Sequence, residues 1–129
     1  MSTWVVLVTL ASLLFYFFTS LQVGRGRSVH GVDAPAMTGH PVFERLVRVQ
    51  ANTLEWLVIY LPCLWLFALY WDARIAAGLG VVWIAGRVIY AQAYAREPGT
   101  RTLGFLVQGL ATLVLMIGAL VGAVRALVV

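Results

Sequence analysis

Four long apolar stretches restrict this chain to folds that a lipid bilayer can solvate. Residues 4–23 carry no formal charge, and about 20 apolar residues suffice for a helix to cross a hydrocarbon core of about 30 Å. The other stretches are residues 43–71, 75–95 and 103–127. Only 11% of the residues are charged, against about 25% in a soluble domain. We therefore predict an all-α membrane protein, a four-transmembrane-helix bundle that forms one domain over residues 1–129.

The first stretch is not typical of a cleaved signal peptide, which has a basic segment before a shorter apolar run. No Lys or Arg precedes Arg25, so we expect a retained transmembrane helix. Residues 24–41 are the longest polar segment, and their glycines and prolines predict a loop after residue 23. On the fourth helix, Gly118 and Gly122 have the spacing that lets helix backbones approach closely, either within one chain or between chains.

The distribution of arginine predicts the orientation of the helices. The two connections on one side, with the adjoining start of the second helix, carry six arginines: Arg25, Arg27, Arg45, Arg48, Arg96 and Arg101. The opposite side carries Arg74 and Arg125. Because Lys and Arg accumulate in cytoplasmic loops, we expect the arginine-rich side in the cytoplasm and both termini outside.

Polar side chains recur at helical spacing inside two of the predicted membrane helices. Intervals of three and four residues place side chains on one helical face. The set on the second helix is Arg45, Arg48, Asn52 and Glu55, and the set on the third is Arg87, Tyr90 and Tyr94. Charged groups inside a bilayer cost roughly 2.5 kcal/mol or more each, so these two rows of side chains need partners.

Two interpretations of these rows differ in the partner. In the first, Glu55 neutralises Arg48 or Arg87 and the helices are held together by an internal salt-bridge network. In the second, an anionic ligand binds among the arginines. The cationic side chains outnumber the one nearby acid, and excess buried positive charge is costly unless an anion shares it. The excess of arginines over acidic side chains therefore favours an anion-binding site.

The residue types also describe the ligand. Several arginines suit carboxylates or phosphates, one acid suits an ammonium group, and the amides of Asn52 and Gln50 suit peptide groups. Tyr90 and Tyr94 add hydroxyl donors. A small zwitterionic peptide with more carboxylates than amines fits this set, and glutathione is such a molecule, with a thiol in addition.

Other functional classes are disfavoured. The arginines lie at the ends of apolar segments rather than along a solvated stripe, which argues against nucleic acid as a partner. Cys63 is the only cysteine, so no intrachain disulfide forms, and its apolar surroundings predict an inert thiol. No HExxH or CxxC spacing occurs, so we expect no metal site.

Two segments resemble the signature blocks of the MAPEG family, the membrane-associated proteins in eicosanoid and glutathione metabolism. They are GHPVFERLVRVQANTLEWLVIYLP and GRVIYAQAYAREPGTR. The compact length is most similar to bacterial, microsomal glutathione transferase-like members, which implies a bacterial inner membrane with the site on its cytoplasmic side. The resemblance also implies a homotrimer with glutathione sites between subunits, each using helices one and two of one subunit and helices three and four of another.

The resemblance further implies roles for individual residues. The residues expected to contact glutathione are Arg27, Arg48, Gln50, Asn52, Glu55, Tyr90, Tyr94 and Arg101. Arg101 is expected to be catalytic, by stabilising the thiolate, whereas Arg45 and Arg87 are expected to be structural supports. Trp56 stands where some relatives have a tyrosine. Ser28 stands where leukotriene-forming members have a second arginine, which argues against epoxide opening of that kind.

The function implied is an integral membrane glutathione transferase, with glutathione peroxidase activity as a second reaction of the same site. Glutathione would be the co-substrate, and a lipophilic electrophile or lipid hydroperoxide would arrive through the membrane lipid. The alternative is a non-catalytic lipid-binding or scaffold member of the same family, which predicts loss of the polar set. A small multidrug transporter would need an acid in the first helix, and residues 4–23 contain none.

Overall fold

A computed structural model describes residues 2–97, 99 and 101–129. Four helices follow one another along the chain: α1 (Thr3–His30), α2 (Pro41–Tyr70), α3 (Ala73–Arg96) and α4 (Thr102–Val128). Each is long and apolar enough to cross a membrane. The prediction of an all-α, four-helix membrane bundle is confirmed.

The prediction that the first helix ends at residue 23 was wrong, because α1 continues to His30. Glycine in a helix interior costs about 1 kcal/mol relative to alanine, but here tertiary packing offsets that cost. Gly26 is buried against α2, where a Cβ would lie 2.8 Å from Leu46 Cδ1 and 3.3 Å from Phe43 Cδ1. The glycine therefore allows the two helices to approach each other. Arg25 and Arg27 consequently lie on a helix and not in a loop.

The end of α1 and the starts of α2 and α3 are set by local signals. Gly31 adopts the left-handed conformation with φ 67°, and the Val32 amide donates to the Arg27 carbonyl at 3.0 Å, which is a Schellman motif. Helix α2 begins with Pro41, which suits a first helical position. The Asp72 carboxylate caps α3 by accepting from the backbone amide of Arg74 at 2.7 Å.

Helix α2 contacts all three other helices, while α1 packs on α2 and α3, and α3 packs on α4. The centre of the bundle contains the stacked rings of Tyr60 and Trp83, with centroids 4.0 Å apart. The buried Tyr60 hydroxyl pairs with the Ser12 hydroxyl at 2.9 Å. An aromatic core with a paired hydroxyl fits a bundle whose outer surface faces lipid.

Small residues bring α4 against both of its neighbours within one chain. Gly118 and Gly122 face α2, where a Cβ on either would lie 2.5 Å from a carbon of Phe67 or Tyr70 respectively. The glycine spacing seen in the sequence is therefore used for packing inside the monomer. Nearer the start of α4, Gly104 contacts the backbone of α3 at Gly86 and Tyr90.

Candidate functional site

A buried arginine joins α2 to α3. The side chain of Arg87 has no solvent exposure. Its Nη1 donates to Asn52 Oδ1 at 2.8 Å and its Nη2 donates to Thr53 Oγ1 at 2.7 Å. The guanidinium carbon also lies 4.5 Å from the ring centroid of Tyr90. Arg87 thus acts as an internal tie between two helices at the level of the polar row on α2.

A cleft of about 390 Å³ opens beside this tie, between α2, α3 and the first turn of α4. Its lining is mostly polar and cationic, and includes residues from both predicted rows and from the start of α4. The lining residues are Arg48, Asn52, Tyr90, Tyr94, Arg101, Thr102 and Phe105. Five of the eight residues expected to contact glutathione therefore lie together in a single chain.

The resemblance predicts that helices one and two of one subunit face helices three and four of another at the site. Within one chain, the cleft combines α2, α3 and α4. The Arg87 tie joins Asn52 of α2 to the α3 side of this cleft, where the Arg87 guanidinium also lies over Tyr90. The division of the site between subunits stays a prediction.

Aromatic rings form the wall of the cleft. The rings of Tyr90 and Tyr94 are stacked with centroids 5.6 Å apart, and Phe105 lies 6.2 Å from Tyr90. Trp56 meets Phe105 edge to face at 5.5 Å. Trp56 therefore extends the apolar part of the wall from α2.

Sequence reasoning did not include Phe105 and Thr102 in the site. Phe105 lies four residues after Arg101, an interval that puts both on one face where the helix continues. That spacing was the available signal for Phe105. Thr102 could not be found in this way, because its place in the lining depends on where α4 begins.

The charges of the cleft suit an anion. Arg48 and Arg101 bring two guanidinium groups to its lining, and the carbon of the Arg101 guanidinium lies 5.4 Å from the ring centroid of Tyr94. Thr102 begins α4, and the amides in the first turn of a helix carry a partial positive charge. Cations, hydroxyl donors and a helix start therefore meet in one place.

Glu55 lies outside this lining, on the exposed surface of α2. Within the described part of the chain its carboxylate has neither a hydrogen-bond nor an ion-pair partner. Arg87 is held by Asn52 and Thr53 instead. The interpretation in which Glu55 neutralises Arg48 or Arg87 within the monomer is therefore not supported by these contacts.

Three other predicted residues lie away from the cleft. Arg27 donates to the Ala36 carbonyl at 2.7 Å and so braces the segment after α1. Gln50 Nε2 donates to Ser20 Oγ at 3.0 Å, which joins α2 to α1. Arg45 Nη1 donates to the Ala95 carbonyl near the end of α3 at 3.4 Å, which joins α2 to α3.

Four membrane-spanning helices with a cationic cleft at one end define an integral, multi-pass membrane protein with an internal polar site. The family model described as the MAPEG family matches residues 5–121. This chain belongs to the MAPEG family.

Three relatives illustrate the range of similarity. An uncharacterized protein of Synechocystis sp. is 46% identical over 117 residues, which are 91% of this chain and 85% of the relative. Microsomal glutathione S-transferase 2 of Homo sapiens is 37% identical over 114 residues, or 88% of this chain and 78% of the relative. Leukotriene C4 synthase of Cavia porcellus is 37% identical over 127 residues, which cover 92% of this chain and 85% of the relative.

Proposed function

We propose that the protein is a membrane glutathione transferase that stabilises the glutathione thiolate for attack on lipophilic electrophiles. One observation carries the proposal: Arg48, Asn52, Tyr90, Tyr94 and Arg101 line one cleft in a family member related to a microsomal glutathione S-transferase. A lipid-binding scaffold would have no need of this cationic and hydroxyl-rich set inside the membrane.

Each polar group of glutathione has a partner in this proposal. Arg48 binds a carboxylate, since a guanidinium offers two parallel donors to a carboxylate. The amide of Asn52 and the hydroxyls of Tyr90 and Tyr94 donate to the remaining oxygens. Glu55 lies three residues from Asn52 on α2 and takes the ammonium group, which fits its lack of a partner in the described chain.

We propose a homotrimer in which a neighbouring subunit completes the site. A carboxylate exposed to lipid on a membrane helix is unfavourable. Binding of the ligand and of a neighbouring subunit over Glu55 would remove its carboxylate from lipid. Arg27 and Gln50, which lie outside the cleft of their own chain, would approach the cleft of the neighbour.

Arg101 is the proposed catalytic residue. A thiol with a pKa of about 8.5 is mostly protonated at neutral pH, and a nearby guanidinium favours the thiolate by charge and hydrogen bonding. Lowering the thiol pKa by about two units corresponds to about 2.7 kcal/mol. The proton leaves to water, the sulfur forms a bond to the electrophilic carbon, and the leaving group departs with its electron pair.

The same thiolate would support peroxidase chemistry on a lipid hydroperoxide. Two glutathione molecules are oxidised to the disulfide, and the hydroperoxide is reduced to an alcohol and water. The acceptor would reach the sulfur past the apolar side of the cleft, where Phe105 and Trp56 pack together. Exposed leucines continue this apolar surface along α4, at Leu106 and Leu110.

We also propose the orientation expected from charge, in a bacterial inner membrane. The end of the bundle that carries the cleft is the arginine-rich end, and the opposite end carries Arg74 and Arg125. The positive-inside rule then puts the cleft on the cytoplasmic side, where it can take glutathione from the cytoplasm.

The test is the ultraviolet difference spectrum of the thiolate after rapid mixing of the purified protein with glutathione. Wild type should give a thiolate signal, and Arg101→Ala should lose it. Arg74→Ala is the matched control, because it removes an exposed arginine at the opposite end of the bundle and should keep the signal. No signal in wild type would refute the enzyme and favour the scaffold.

A further inference from the structure

The hydrogen bonds around Arg87 have only one consistent direction. Thr53 Oγ1 lies 2.7 Å from the Val49 carbonyl, so the hydroxyl hydrogen points to that carbonyl. Its oxygen can then accept from Arg87 Nη2 at 2.7 Å. A guanidinium carries N–H donors and no acceptor. The whole chain of bonds therefore runs from Arg87 outward to α2.

The same rule determines how the Asn52 amide is turned. The atom of Asn52 that lies 2.8 Å from Arg87 Nη1 must be the oxygen, because arginine can only donate. An amide whose oxygen faces Arg87 has its NH₂ group turned away from Arg87. Asn52 lines the cleft, so the group available to a ligand there is a donor.

Arg87 has little freedom to release this arrangement. Its side chain is fully buried, both terminal nitrogens are hydrogen-bonded to α2, and its guanidinium lies over the Tyr90 ring. Turning Asn52 over would bring its NH₂ group against a cation and leave a buried Arg87 donor without an acceptor, which is unfavourable. The amide is therefore held in one orientation before any ligand arrives.

We propose that Arg87 is a positioning residue that makes Asn52 a donor toward the cleft, so that the ligand must place a carboxylate or carbonyl oxygen there. Arg87 itself does not touch the ligand. Together with Arg48, Asn52 forms a surface that offers donors only, which selects an acceptor group and rejects an ammonium group, because an ammonium group has no acceptor. This inference rests on the proposed function, because the ligand concerned is glutathione.

Asn52→Asp is the decisive variant, since it reverses the polarity of this position while keeping its shape. The new carboxylate still accepts from Arg87, so the tie between α2 and α3 is retained and the midpoint of thermal unfolding should not fall. Toward the cleft, the new carboxylate has only acceptor oxygens, and it faces a ligand oxygen that is also an acceptor, so no hydrogen bond can form between them. Like charges in contact across a binding site are unfavourable, and we expect the Kd for glutathione to rise about 10- to 100-fold.

Two further readouts separate positioning from general damage. At saturating glutathione, Asn52→Asp should still form the thiolate, because Arg101 is unchanged, so the defect lies in Kd and KM rather than in kcat. Gln92→Glu is the matched charge control. It makes the same amide-to-acid change on the exposed surface of α3, outside the cleft lining, and should bind glutathione as wild type does.

Arg87→Lys and Arg87→Gln form a second, independent pair. Lysine is again a donor without an acceptor, so it keeps the Asn52 oxygen facing inward, whereas glutamine offers both kinds of group and lets the amide turn. The lysine variant should therefore bind glutathione several-fold more tightly than the glutamine variant. If Asn52→Asp fails to fold, the affinities of the two Arg87 variants decide whether Arg87 positions the Asn52 amide.

The outcomes distinguish the inference from the proposed function. If wild type binds no glutathione in detergent or nanodiscs, as measured by calorimetry, the proposed function fails. If wild type binds it and Asn52→Asp binds equally well, only the positioning role fails. Equal affinity of the two Arg87 variants would also overturn that role.

Discussion

The contact between Gly104 and the backbone of α3 should control both the stability of the bundle and the geometry of the cleft. A Cβ added at Gly104 would lie 2.6 Å from the Gly86 carbonyl oxygen and 2.7 Å from Tyr90 Cα. Heavy atoms in favourable contact are about 3.5–4.0 Å apart. Gly104→Ala must therefore separate the two helices by roughly 1 Å, because backbone atoms cannot rotate out of the way as a side chain does.

The size of the effect follows from this displacement. Overpacking of this kind typically costs about 1–3 kcal/mol. The displacement also moves Tyr90 and Tyr94, on α3, away from Arg101 at the start of α4. A misplacement of about 1 Å in a catalytic site can reduce the rate about 100-fold. Gly104→Ala should thus lower the unfolding midpoint and lower kcat/KM for glutathione conjugation at least about tenfold.

Gly109→Ala on the same helix is the matched control. Among the described residues, no atom beyond the adjoining part of α4 itself lies within 4 Å of a Cβ built at Gly109, and replacing glycine by alanine in a helix gains about 0.5–1 kcal/mol. Thermal unfolding in detergent and steady-state conjugation kinetics would be measured for both variants. Equal stability and equal activity of the two variants would refute the argument that close backbone packing positions the site.

Three other substitutions test separate parts of the structure. Glu55→Gln should raise the KM for glutathione with little change in stability, because Glu55 has no partner in the described chain; an unchanged KM would exclude it as the ammonium partner. Arg101→Ala should move the rising limb of the pH–rate profile upward, toward the free thiol value of about 8.5. The shift is upward because the guanidinium lowers the pKa of the thiol and its removal lets that pKa rise. An unchanged pH–rate profile would contradict the proposed role of Arg101. Tyr60→Phe should lose about 1 kcal/mol of stability, since it removes the hydroxyl that pairs with Ser12, and should leave conjugation kinetics unchanged. A large loss of activity in this variant would show that the core and the cleft are coupled.

Much of the cleft could be predicted before its geometry was known. The intervals between Arg48 and Asn52 on α2, and between Tyr90 and Tyr94 on α3, put each pair on one helical face. An arginine inside an apolar helix also indicates a buried partner. These inferences work because a helix has a regular period, so the relation between residues three or four apart is local.

The end of α1 could not be predicted in the same way. From sequence alone, a glycine in a polar segment predicts the end of a helix, because its neighbours in space are not known. Gly26 is tolerated because Leu46 and Phe43 pack where its side chain would be. The helix ends at His30, and Gly31, the residue that follows, is the first glycine of this segment with a left-handed backbone.

By itself, the sequence determined that the chain lies in a membrane, that it has four helices, and which faces of α2 and α3 are polar. Apolar length and helical periodicity are properties of consecutive residues, so no distant contact is needed to infer them. Only the tertiary structure decided that Arg87 pairs with Asn52 and Thr53 rather than with Glu55. That choice depends on how α2 is rotated against α3, and the rotation is set by packing between residues far apart in the chain.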